Sequence, residues 1–172
     1  MKRSVVLIGL PGSGKTTVAR LAGEQLGSPG VDVDAVIVRR EGKPITLIFA
    51  EKGESAFREL ERKEMETALA GEPAIIAAGG GWAAQPGAME SVSGRALMIY
   101  LRTRPETATH RTEGAGTRPL LTGENPVERM RQLLKEREPA YLKADEKIDT
   151  DRKTAAQVTT EVVRLAQTRA GW

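Results

Sequence analysis

Gly9-Leu10-Pro11-Gly12-Ser13-Gly14-Lys15-Thr16 fits the pattern G-x-x-x-x-G-K-[ST] and grows out of an apolar run, Ser4–Leu10. That run reads as a buried strand. From Lys15 onward, Val18, Leu21, Ala22 and Leu26 recur at three- and four-residue spacing, as on one face of a helix. A strand, a glycine-rich loop and a helix together are what phosphate binding needs. Glycines let backbone N–H groups curl around an anion, and the helix N-terminus adds its positive dipole end. In this arrangement Gly12, Ser13 and Gly14 wrap the phosphates with Thr17 beside them, Lys15 reaches the outer phosphates, and the Thr16 hydroxyl ligates Mg²⁺. The stretch predicts a nucleoside triphosphate site.

Outward from it, apolar runs near Val31–Asp34, Ala74–Ala78, Ala96–Leu101 and Lys147–Asp149 alternate with helical patterns, notably Glu54–Leu69, Asn125–Tyr141 and Thr154–Thr168. Such alternation predicts an α/β fold, a parallel sheet with helices on both faces. Asn125-Pro126 reads as a cap and first-turn pair, and Gly71 as a left-handed stop after the helix that precedes it. The segment Thr112–Asn125 is irregular enough to be a lid. At 172 residues the chain is expected to form a single domain with its own core.

Cysteine is absent, which rules out a disulfide framework or thiolate zinc site and suits the reducing cytoplasm. The apolar run after Met1-Lys2-Arg3 is too short for a signal core, and no stretch approaches a membrane span. The net charge of +3 comes from 26 basic and 23 acidic residues that intersperse, and the chain has only two Trp, two Tyr and two Phe for base stacking. These features argue against nucleic acid and for a small anionic ligand held by a few placed arginines. With no amphipathic segment left over for an interface, a monomer is expected.

Because many activities share a phosphate loop, other residues must choose the second substrate. Asp32-Val33-Asp34 ends the second strand, where residues two apart share a face, so both carboxylates are expected in the ligand crevice. One of them holds Mg²⁺ through water while the other meets a hydroxyl. Arg58 and Glu61 sit three apart on a helix, which suits a guanidinium held rigid and aimed at a carboxylate. Phe49 and Phe57 lie in the same region and fit either core or pocket. Gly79-Gly80-Gly81 follows the third strand and allows close backbone approach to a ligand. Arg118 in Arg118-Pro119-Leu120-Leu121 falls inside the lid segment, and Arg137 lies late on the helix after it.

Together, the phosphate loop, Asp32-x-Asp34, Phe57-Arg58-x-x-Glu61, Gly79-Gly80-Gly81, Arg118-Pro119-Leu120-Leu121 and Arg137-x-x-x-Tyr141 resemble the shikimate kinases, over about Val5 to Val163. The resemblance implies a three-layer α/β/α P-loop kinase fold of the nucleoside-monophosphate-kinase type with a five-stranded parallel sheet. It also implies a substrate-binding segment at about 32–61 and a lid at about 112–125. The implied reaction transfers the ATP γ-phosphoryl group to the 3-hydroxyl of shikimate, a step toward chorismate and aromatic amino acids, with one Mg²⁺ accompanying ATP. The resemblance implies that Lys15, Asp34 and Arg118 are catalytic. Thr16 and Asp32 would serve the metal, and Arg111, Arg118, Arg152 or Lys153 the nucleotide. Arg58, Arg137, Gly79, Gly80, Gly81, Phe49, Phe57 and Glu61 would bind shikimate with Asp34, Glu61 orienting Arg58.

Two positions depart from the pattern. Arg152-Lys153-Thr154-Ala155 lacks the usual proline, leaving open which basic residue meets the nucleotide, and Trp82 is large enough to trim the pocket mouth. His110 has no cysteine or second histidine to join in metal binding. The competing readings are a gluconate-kinase-type enzyme of similar build and a non-catalytic nucleotide-binding relative.

Overall fold

A computed structural model describes residues 1–113 and 125–172. Five parallel strands are β1 (Ser4–Ile8), β2 (Gly30–Asp32), β3 (Ile75–Ala77), β4 (Ala96–Arg102) and β5 (Glu146–Asp149). They lie in the order β2-β3-β1-β4-β5. Seven helices accompany them among the described residues: α1 (Lys15–Leu26), α2 (Val33–Glu41), α3 (Ile45–Ala70), α4 (Ala88–Val92), α5 (Pro105–Glu113), α6 (Pro126–Tyr141) and α7 (Ala155–Arg169).

β1 is buried on both sides, which is why it reads as a continuous apolar run. Its alternate residues serve two separate cores. Val5 and Leu7 pack with Ala19, Ala22, Val158 and Val162 of α1 and α7, whereas Val6 and Ile8 pack with Ile37, Met65, Met130 and Leu133 from the opposite layer. The result is the expected α/β/α sandwich.

The register aligns the strand ends that matter. Leu7 pairs with Ala77, and Ala77 in turn with Asp32. The loops leaving β1, β2 and β3 therefore emerge side by side at one carboxyl edge of the sheet, where open α/β sheets bind ligands.

Local capping agrees with the sequence in several places. The Asn125 side chain accepts from the Glu128 N–H ahead of Pro126, and Thr154 and Gln157 close a reciprocal capping box on α7.

Two expectations need correction. Gly71 follows α3 in an extended conformation (φ −83°, ψ −165°), not a left-handed one. The second strand stops at Asp32, because the Asp32 carboxylate accepts a hydrogen bond from the Ala35 N–H at 3.1 Å and starts α2. α2 and the first third of α3 form a unit that apolar periodicity did not announce. Arg40–Glu64 (2.9 Å) and Lys52–Glu41 (2.8 Å) tie α2 to α3, and Gly53 (φ 82°) breaks α3 into two helical pieces.

Candidate active site

The phosphate loop has the geometry its glycines require. Gly12 has φ 80°, and a Cβ there would lie 2.5 Å from the Ala108 carbonyl oxygen, so no other residue fits. Gly14 takes the N-cap position of α1 without a side-chain cap, and no acidic residue occupies the first turn. The first amides of α1 are thereby left for an anion. The Lys15 ammonium is buried and donates to the carbonyls of Gly9 and Leu10, each at 2.8 Å.

Thr16 donates its hydroxyl proton to Asp32 Oδ2 at 2.7 Å, while Asp32 Oδ1 holds the Ala35 N–H. This hydroxyl–carboxylate pair beside the loop offers hard oxygen donors, and no cluster of three or more His, Cys, Asp or Glu forms a dedicated cage among the described residues. That donor set fits Mg²⁺, which keeps most of its waters and is shared with substrate phosphates.

The loop shares a cavity of about 460 Å³ with residues of α2, α3 and α6: its walls include Gly12, Gly14, Lys15, Thr16 and Thr17 together with Asp34, Arg58 and Arg137. Asp34 reaches it from the first turn of α2 and not from a strand face, so the expected strand geometry is replaced by a cap followed by a helix. Both Asp32 and Asp34 nevertheless line the cavity.

Arg58 is held by Glu61, Nη1 to Oε1 at 3.0 Å, and its guanidinium lies 5.4 Å from the Phe57 ring centroid. Phe57 also packs on Phe49 with centroids 4.8 Å apart, and both rings line the cavity. They are core and pocket wall at once. Glu61 is 1% exposed; burial pushes its carboxyl up to about 7, and the nearby Asp34 adds to the effect, against the opposing pull of Arg58 and Arg137.

The triple glycine also accommodates the protein's own side chains. A Cβ at Gly79 would overlap Glu61 Oε2, and one at Gly81 would come within 2.5 Å of Arg58 Nη2. The missing side chains make room for the protein's own ion pair. Gly80 and Gly81 still line the cavity, whereas Gly79 sits behind it.

Against known proteins, the sequence model for shikimate kinase matches residues 11–167. The chain belongs to the shikimate kinase family. A curated shikimate kinase of Mycobacterium avium (strain 104) is 40% identical over 172 residues, covering 99% of this chain and 97% of the relative. The solved structure of shikimate kinase from Acinetobacter baumannii in complex with shikimate has a TM-score of 0.92 at 34% identity, covering 98% of this chain and 94% of that one. A gluconokinase from Sinorhizobium meliloti 1021 gives a TM-score of 0.62 at 18% identity, a likeness of fold alone. Family membership makes this chain an ATP-dependent kinase of the shikimate pathway and does not favour the gluconate alternative.

Not every residue that the family pattern implies converges on the cavity. Arg118 and most of the lid segment fall outside the described residues, while Thr112 and Glu113 belong to α5. Arg111 donates to the Gly12 carbonyl at 3.4 Å, on the outer side of the phosphate loop. Lys153 is engaged by Glu161 at 3.1 Å, and the neighbouring Arg152 is exposed with a left-handed backbone (φ 63°). Trp82 does not trim the cavity mouth: it is 3% exposed, belongs to the core, and lines a second cavity on the other side of Arg58. The wall residues that sequence reading did not assign to the site are Pro11, Ala35, Val38, Pro44, Ile45, Thr46 and Ala78. Five of the seven flank or belong to α2 and the start of α3; the usable signals were the Asp32 cap and Pro44 just before Ile45.

Proposed function

We propose that this protein transfers the γ-phosphoryl group of ATP to the ring 3-hydroxyl of shikimate, with this cavity as the site of transfer. The observation that carries the reading is that Arg58, Arg137 and Asp34 line the same cavity as Lys15 and Thr16. Two guanidiniums suit the single carboxylate of the acceptor. Asp34, in the wall of the same cavity, is assigned to accept a hydrogen bond from the reacting hydroxyl and to align it with the γ-phosphorus.

In the transfer, the bond from the γ-phosphorus to the β,γ-bridging oxygen breaks and a bond to the shikimate oxygen forms. The hydroxyl proton leaves toward Asp34 or water, and ADP is the second product. Such transfers pass through a loose transition state, so positioning and charge neutralisation contribute most. Lys15 supplies charge at the outer phosphates by exchanging its carbonyl partners for phosphate oxygens, and the α1 amides hold the inner ones. Thr16 and Asp32 would hold Mg²⁺, whose role when bound is to neutralise charge on the β- and γ-phosphates. Arg118 is assigned the role of stabilising the transferring group, and Arg152 that of meeting the nucleotide. The working unit is taken to be a monomer in the cytoplasm.

ADP release from ATP–Mg²⁺ in the presence of shikimate, gluconate, quinate or no acceptor tests the reading. Turnover that requires shikimate supports it. Turnover with gluconate alone would keep the kinase and overturn the acceptor, and tight ATP binding with no turnover on any acceptor would favour a non-catalytic relative.

A further inference from the structure

The last turn of α6 places a second polar group against the glycine loop. Tyr141 is fully buried, and its hydroxyl donates to the Gly80 carbonyl. Arg137, one helical turn earlier on the same face, places its positive charge near that hydroxyl, which opposes the effect of burial on the phenol. Arg137 is also the side chain beside Gly80, where a Cβ would lie 3.3 Å from its Nη1. One phenol therefore pins a cavity backbone group that a cavity arginine adjoins.

The loop depends on this outside contact. Its other carbonyls are satisfied locally: Gly79 O accepts from the Trp82 N–H at 3.1 Å, and Gly81 O from Gln85 Nε2 at 3.0 Å. The Gly80 carbonyl takes its hydrogen bond from a residue 61 positions away. Because a peptide unit is planar, pinning that oxygen also fixes the direction of the Gly81 N–H. The phenol is held from behind by the Tyr100 ring, with centroids 5.0 Å apart, and Tyr100 donates its own hydroxyl to Glu138 at 2.7 Å.

We propose that Tyr141 is a positioning residue for the acceptor. Through its hydroxyl it locks the Gly80 peptide, beside the Arg137 guanidinium, into the position that shikimate meets. This rests on the assignment of the cavity to shikimate. Burial pushes the Tyr141 phenol up to about 12, so it stays protonated and remains a donor throughout the working range. The phosphate loop has its own brace in the Ser13 N–H to Leu10 carbonyl bond of 3.1 Å, so loss of the Tyr141 bond is expected to fall first on the acceptor side.

The test compares wild type, Tyr141→Phe and Tyr100→Phe in steady-state kinetics, varying shikimate and ATP in turn, with melting temperatures recorded for each. Tyr141→Phe raises the shikimate KM about tenfold, the weight of a lost buried hydrogen bond, with kcat within about twofold and the ATP KM unchanged. Tyr100→Phe removes a hydroxyl from the same stacked pair and leaves the shikimate KM unchanged. An unchanged shikimate KM in Tyr141→Phe, or equal changes for shikimate and ATP, overturns the positioning role. Wild type without shikimate turnover overturns the assignment of the cavity itself. If Tyr141→Phe does not fold, 3-fluorotyrosine incorporated at position 141 supplies a stronger donor of nearly the same shape. It lowers the shikimate KM alone if the lock operates, and a KM equal to wild type overturns it.

Discussion

Glu61 is a carboxylate placed where a charge is expensive, and replacing it by glutamine has a calculable consequence. Its side chain is 1% exposed, its Oε2 has no hydrogen-bond partner, and desolvation raises its pKa from 4.5 to about 7 despite the Arg58 contact. The sign follows from linkage. A carboxyl that holds its proton more tightly folded than unfolded stabilises the fold below pH 4.5, and that contribution is lost as pH rises through about 7. At 1.36 kcal/mol per pKa unit, wild type loses about 2–3 kcal/mol from this group between pH 5 and pH 8. The variant Glu61→Gln lacks the titration and does not share the loss. Urea unfolding of both proteins at pH 5 and pH 8 reads it directly. With a slope of about 2 kcal/mol/M, the wild-type midpoint falls by about 1 M more than that of the variant. Parallel behaviour of the two midpoints, or a wild type that gains stability relative to the variant as pH rises, would refute the reasoning.

The other assignments give separable kinetic signatures. Asp34→Asn lowers kcat by about 100-fold or more while ATP binding, measured by calorimetry, stays nearly intact. Arg58→Ala removes charge-assisted bonds to the acceptor and raises the shikimate KM about 10- to 100-fold, with the ATP KM spared. Asp32→Asn keeps an equally good helix cap for α2, so melting temperature barely changes, while the Mg²⁺ concentration giving half-maximal activity rises about tenfold.

Local chemistry made much of this protein legible. The phosphate loop, the apolar strands and the Asn125-Pro126 and Thr154–Gln157 caps are encoded within a few residues of where they act. α2 was hidden because Val33 and Ile37 are its only buried residues, too few to set a helical period, and because Asp32 looks like a strand residue until its carboxylate is seen to cap Ala35. The triple glycine was legible as a loop at the cavity, but the room it leaves for Glu61 and Arg58 was not, since these come from a helix far away in sequence. Taken alone, Arg137 looks like surface decoration on a mostly polar helix; the family pattern singled it out, and the packing shows it 6% exposed at the cavity wall. Trp82 illustrates the converse: a bulky residue after a ligand-type loop turned into the core and not toward the site.

The central claim is that Arg58 and Arg137 fix the acid so that one ring hydroxyl lies beside Asp34 and faces the γ-phosphoryl group. Phosphorus–proton correlation NMR of the product made from ATP–Mg²⁺ and shikimate tests it most directly. The account predicts a single organophosphate signal coupled to the proton at ring carbon 3, in amount equal to the ADP formed. Phosphate on another hydroxyl, a mixture of positional isomers, or inorganic phosphate alone would contradict it.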